Sequence, residues 1–93
     1  MRIIVLDGAE MTSRAALHDY LAARLDLPDW YGRNLDALYD CLTDRSRPTL
    51  LVLCREEALA TALGDYGRRL VRVLERSAAE SPALTFARDG DEV

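Results

Sequence analysis

Apolar residues fall in three short runs, separated by stretches where they recur every third or fourth position, and this alternation predicts strands and helices in turn. The first run is RIIVLD at 2–7, whose β-branched residues and following Asp-Gly pair predict a strand closed by a turn. In TSRAALHDYLAARLDLP, Thr12 or Ser13 is placed as an N-cap, Leu17, Leu21 and Leu25 mark one helical face, and Pro28 lies beyond the stop. The loop 26–33 contains Pro28 and Gly32 and leads to Asn34, a good N-cap, so a second helix is predicted over 35–43. On it Leu35, Leu38 and Leu42, with Cys41 beside them, fall on one side; Asp36, Tyr39, Asp40 and Thr43 fall on another. Pro48 introduces TLLVLC at 49–54, an unbroken apolar run that predicts a central strand buried on both faces. Helical stretches at roughly 55–63 and 67–80 follow, separated by GDYG. Leu70, Val71, Val73 and Leu74 turn inward on the second, and Pro82 ends it before a last strand at about 83–87.

This order predicts an α/β fold: a three-stranded parallel sheet with right-handed crossovers, flanked by about four helices. A chain of 93 residues is expected to form one domain, 1–93, with a single core, and DGDEV at 89–93 is expected to be a frayed acidic tail. The N-terminal apolar run is too short for a signal peptide or a bilayer span, so a cytoplasmic protein that does not engage membranes is expected.

Composition narrows the function further. Hydrophobic residues at 49% and charged residues at 30% are the balance of an ordinary globular protein, which argues against disorder and against a disulfide scaffold. The spacing of Cys41 and Cys54 fits neither a redox pair nor a zinc cluster, and free thiols are expected. All twelve basic residues are arginine, a bias of composition rather than a functional signal. The net charge of −4 is localised: segment 26–44 holds Asp26, Asp29, Asp36, Asp40 and Asp44 against Arg33 alone, while the rest of the chain balances. Such a patch disfavours nucleic acid and favours a basic partner.

The residue set for chemistry is sparse. His18 is the sole histidine, and a Cys41–His18 dyad would lack an orienting third group and an oxyanion site. Gly64 and Gly67 belong to no phosphate-loop pattern, and no metal-ligand set is present. Asp36 and Asp40 could form an acid/base pair only if their environments differed, and nothing nearby separates them. No catalytic residue, metal or cofactor is therefore expected. Yet carboxylates at i and i+4 repel, at a cost of roughly 0.2–0.5 kcal/mol. Asp36 gains from the positive helix start, whereas Asp40 lies beyond it. Tyr39 shares their side, and Trp30 and Tyr31 adjoin, one of the two expected in the core. Carboxylates interleaved with aromatics are the composition of a protein interface.

The stretch LPDWYGRNLDALYDCLTD at 27–44 resembles the signature of the barstar family of intracellular ribonuclease inhibitors. The likeness runs from VLDG through the LH-bearing first helix to the long last helix, and its C-terminal half matches mainly in pattern. It implies a loop and second helix that plug a ribonuclease active site, with a helix carboxylate in place of the substrate phosphate. By position that role falls on Asp40, supported by Asp36, with Trp30 and Tyr39 as aromatic contacts and Thr43 at the edge. Gly32 and Asn34 would shape the loop and cap the helix. Asp44 and Arg45 replace a glycine and a tryptophan of the family, so Asp44 joins the expected contact set within an altered rim. Arg33 replaces an acid, and the family's second acidic contact falls on Arg76, with Glu75 and Glu80 turned elsewhere. The resemblance also raises a cis peptide at Arg47–Pro48. It implies a non-enzymatic inhibitor that binds a cationic ribonuclease or ribonuclease-like toxin domain one-to-one, and the like charge of the acidic face argues for a monomer when free. The altered rim keeps open a module of the same fold docking a different basic protein.

Overall fold

The computed structural model describes residues 1–88; the acidic run 89–93, expected to fray, lies outside the described residues. Along the chain come β1 (Arg2–Asp7), α1 (Arg14–Arg24), α2 (Leu35–Thr43), β2 (Thr49–Cys54), α3 (Glu56–Leu63), α4 (Asp65–Glu80) and β3 (Leu84–Arg88). The strands form one parallel sheet in the order β1-β2-β3, the α/β arrangement that the hydrophobic pattern predicts.

Register decides which side chains meet the helices. Ile4 pairs with Leu51 and Leu51 with Phe86, while Leu6 pairs with Leu53, so these residues share a face. Ile4, Leu6, Leu51, Leu53 and Leu84 are buried there together with Leu17 and Leu21 of α1, Leu38 and Leu42 of α2, and Leu70 and Leu74 of α4. The helices cover this face alone. On the other, Ile3 and Val5 are 64% and 44% exposed, and Leu50 and Val52 are only half-buried. This corrects the expectation that β2 is buried on both faces. Its outer residues are apolar because Leu50 stands beside Ile3, and Val52 beside Val5, shielding one another laterally without a second helical layer.

Local chemistry sets the joints. Ser13 caps α1, its Oγ accepting from Ala16 N at 3.1 Å. Asp7 accepts from Ala9 N at 2.9 Å and so starts a single 3₁₀ turn, Gly8–Glu10, where the sequence predicts only a turn. The Arg55 guanidinium also grips Asp7, at 2.8 and 2.5 Å, and this bond, with the Ala9 amide, holds the carboxyl at about 2. A Cβ at Gly8 would lie 2.2 Å from the Arg55 carbonyl oxygen, so only glycine admits this close approach.

The GDYG stretch is not a separator of four residues. Gly64 alone makes the joint, at φ +53° and ψ −120°, and α4 starts at Asp65 rather than at 67. A glycine can absorb the whole change of direction, and Asp65 suits the positive start of the helix. Among the described residues no peptide bond is cis, so Arg47–Pro48 is trans, and the Pro48 carbonyl accepts from Arg2 N at 3.0 Å. Both outer strands are sheet edges. That of β1 is blunted by Tyr20, whose hydroxyl accepts from Asp7 N, and by Arg24, which donates to the Val5 carbonyl. Cys41 and Cys54 are free thiols. No described helix is long and apolar enough to cross a membrane.

Candidate functional site

The second helix stands where the core ends. Leu35, Leu38 and Leu42 are buried, while Asp36 and Asp40 are exposed, and Asp44 follows as the exposed C-cap. Carboxylates at 36, 40 and 44 thus form a row spaced four residues apart. None of the three enters an ion pair among the described residues. Asn34 builds the helix start: its Oδ1 accepts from Ala37 N at 2.7 Å, and its Nδ2 donates to the Gly32 carbonyl at 3.2 Å. The cap and loop expected of Gly32 and Asn34 are therefore one hydrogen-bonded unit. At the other end Thr43 Oγ1 donates to the Tyr39 carbonyl at 2.8 Å, which keeps its side chain against the helix.

The loop sorts its two aromatics. Trp30 is 78% exposed, and Tyr31 is buried. Trp30, Asp40, Cys41, Thr43 and Asp44 surround a shallow depression of about 400 Å³. Asn34 and Asp36 face a separate, larger cleft at the start of α2. Tyr39 leans instead on α4, where the Arg76 guanidinium lies 5.3 Å from its ring centre and Glu80 accepts a hydrogen bond from its hydroxyl. That bond raises the Tyr39 hydroxyl above its ordinary range. Glu80 is thus turned toward the site, correcting its expected orientation, whereas Glu75 reaches Arg88. The spacing of Arg76 and Glu80, four apart on one helical face, is the signal that places both beside Tyr39. Arg33, in the left-handed region at φ 53°, pairs with Asp19 of α1.

Beneath the loop, His18 joins α1 to two other segments. Its Nδ1 lies 2.6 Å from Tyr31 Oη and its Nε2 2.7 Å from Tyr66 Oη of α4. A neutral ring can donate to one hydroxyl and accept from the other, so the uncharged form satisfies both nitrogens. Burial, reinforced by the charge of Arg33, lowers its pKa below the ordinary 6.5. A folded-state value below the unfolded one makes this contribution to stability complete above pH 6.5 and progressively lost as pH falls below it. Chemical denaturation between pH 6.5 and 5 should show that decline in the native protein and lack it in His18→Gln. The variant should also be less stable throughout, by roughly 1–3 kcal/mol, because a tyrosine hydroxyl loses its partner. An unaltered pH slope would refute this account of His18.

The same geometry leaves no room for nucleophilic catalysis. Both ring nitrogens of His18 are engaged by tyrosines, and burial with the neighbouring charges of Asp40 and Asp44 pushes the Cys41 thiol up, away from thiolate. Among the described residues no group of three or more His, Cys, Asp or Glu side chains could hold a metal ion.

A parallel sheet presenting an acidic helix face and an exposed tryptophan has the composition of a protein-binding surface. A family model described as Barstar (barnase inhibitor) matches residues 1–91. Among curated proteins, the chain is 44% identical over 81 residues to the candidate ribonuclease inhibitor YrdF of Bacillus subtilis (strain 168), covering 86% of this chain and 89% of that protein. The chain belongs to the barstar family, whose members are inhibitors and not enzymes.

Proposed function

We propose that the protein inhibits a cationic ribonuclease, or a ribonuclease-like toxin domain, by seating residues 28–44 in its active site. The observation that carries this function is the uncompensated row of Asp36, Asp40 and Asp44 beside the exposed Trp30. Repulsion along the row costs the free protein a little stability, and the cationic pocket that cradles RNA phosphates removes it on binding. Asp40 lines the depression and takes the place of a phosphate, with Asp36 adding to the attraction. Trp30 and Tyr39 supply aromatic contact, with Thr43 and Asp44 at the edge. Gly32 and Asn34 hold the loop. The inhibitor acts in the cytoplasm as a monomer, binds its target one-to-one, and protects the cell that makes the enzyme.

The test is titration of a barnase-type ribonuclease with this protein at several salt concentrations. Inhibition should saturate at one equivalent and weaken as salt rises from about 50 to 500 mM, because the Debye length falls below ~10 Å over that range. Failure to inhibit would favour a second function, docking to a different basic protein, which the cations Arg45 and Arg76 flanking the acidic row favour. Affinity capture on the immobilised protein would then return a basic protein that is not a nuclease.

A further inference from the structure

A cleft of about 860 Å³ lies apart from the depression around Asp40, between the starts of α1, α2 and α4. Arginines enter it from three segments: Arg14 from α1, Arg33 from the loop before α2, and Arg69 from α4. Arg33 is committed to Asp19, but Arg14 and Arg69 enter no ion pair among the described residues. Both instead gather on one aromatic ring, their guanidinium carbons 4.3 and 5.6 Å from the centre of Tyr66. Two cations on one ring repel each other, and the ring's quadrupole offsets that only in part. Tyr66 cannot swing away to relieve them, because its hydroxyl is bonded to buried His18. The ring is thus fixed within the cleft, and the two guanidinium groups stacked on it keep their donors free of carboxylate partners.

We propose that this cleft binds a diphosphate group, bridged by Arg14 and Arg69 above Tyr66. Guanidinium forks match phosphate oxygens with paired hydrogen bonds, and two phosphates have the charge to satisfy two forks. The positive ends of the three helices add to the field, and Asp36, the remaining acid facing the cleft, confines the anion to the Arg14–Arg69 side. The volume is that of a site for a small molecule of nucleotide size.

Inorganic pyrophosphate, titrated into the 93-residue protein at low salt and followed by amide NMR shifts, is the first probe. Saturable shifts are expected near Arg14, Tyr66 and Arg69, and they should weaken at least tenfold in the Arg14→Gln/Arg69→Gln variant. The Arg68→Gln/Arg72→Gln variant removes the same charge from α4 outside the cleft and should bind as the native protein does. Adenosine diphosphate forms the second arm: tighter binding than pyrophosphate identifies a nucleotide, and equal binding identifies the phosphates alone as the ligand. Absence of saturation, equal weakening in both variants, or equal affinity for sulfate would overturn the proposal. All of this is read on the free protein, so its failure leaves the ribonuclease-inhibitor function untouched, and the reverse also holds.

Discussion

Replacing Asp40 with alanine is expected to weaken inhibition of the target ribonuclease by roughly two to four orders of magnitude. The estimate follows from removing one partner of a buried ion pair, which costs about 3–5 kcal/mol because the opposing cation stays desolvated and unpaired. Asp40 qualifies because it lies within the depression bordered by Trp30, Thr43 and Asp44, where a docked surface excludes water. Asp36 lines the other cleft and already interacts with the positive start of α2, so its alanine variant should lose much less. The free protein should respond with the opposite sign. Without Asp40 the row loses its central charge, and two repulsions of roughly 0.2–0.5 kcal/mol each disappear, so stability holds or rises slightly. Inhibition constants and denaturation midpoints for Asp40→Ala and Asp36→Ala check both halves. Equal losses for the two variants would locate the phosphate mimic elsewhere.

The expected opposite signs in binding and folding are also what marks the candidate site in the sequence. A pair of aspartates one turn apart violates local stability, and such violations stand out where the rest of a helix obeys its pattern. The fold was legible for the complementary reason: Leu35, Leu38 and Leu42 keep helical spacing, and Asn34 and Ser13 are caps that act through their own backbone neighbours. What escaped depends on contacts across the chain. Which of Trp30 and Tyr31 faces solvent is decided by His18, 13 residues before Tyr31, and by Tyr66, 48 residues after His18. The turn of Glu80 toward Tyr39 spans 41 residues. Nor could TLLVLC announce its half-exposed outer face, since an apolar run reads the same whether a helix or the side chains of neighbouring strands cover it. Gly64 shows a further limit, because one glycine did the work that four residues of loop-like composition suggested.

Leu38 on α2 gives the converse experiment. Its side chain is fully buried in the core on the side of α2 away from the acidic row, where α2 packs against α4, so Leu38→Ala leaves a cavity that the packed core cannot close completely. The expected loss is about 2–5 kcal/mol, a large part of a stability of 5–15 kcal/mol typical for a domain. Alanine's better helix propensity returns only a few tenths of this, since leucine is itself a good helix former. Urea denaturation should show the midpoint falling with little change in slope, as the surface exposed on unfolding is nearly the same. Inhibition measured where the variant is still folded should stay close to native, because Asp40, Thr43 and Trp30 are positioned by the helix backbone and the loop rather than by Leu38. Asp40→Ala and Leu38→Ala therefore separate the two faces of one nine-residue helix, the acidic face proposed for binding and the buried face that holds the fold. If instead Leu38→Ala cost inhibition as much as stability at a temperature well below its midpoint, the acidic row would owe its geometry to core packing, and the target would be reading the tilt of α2 as well as its charge.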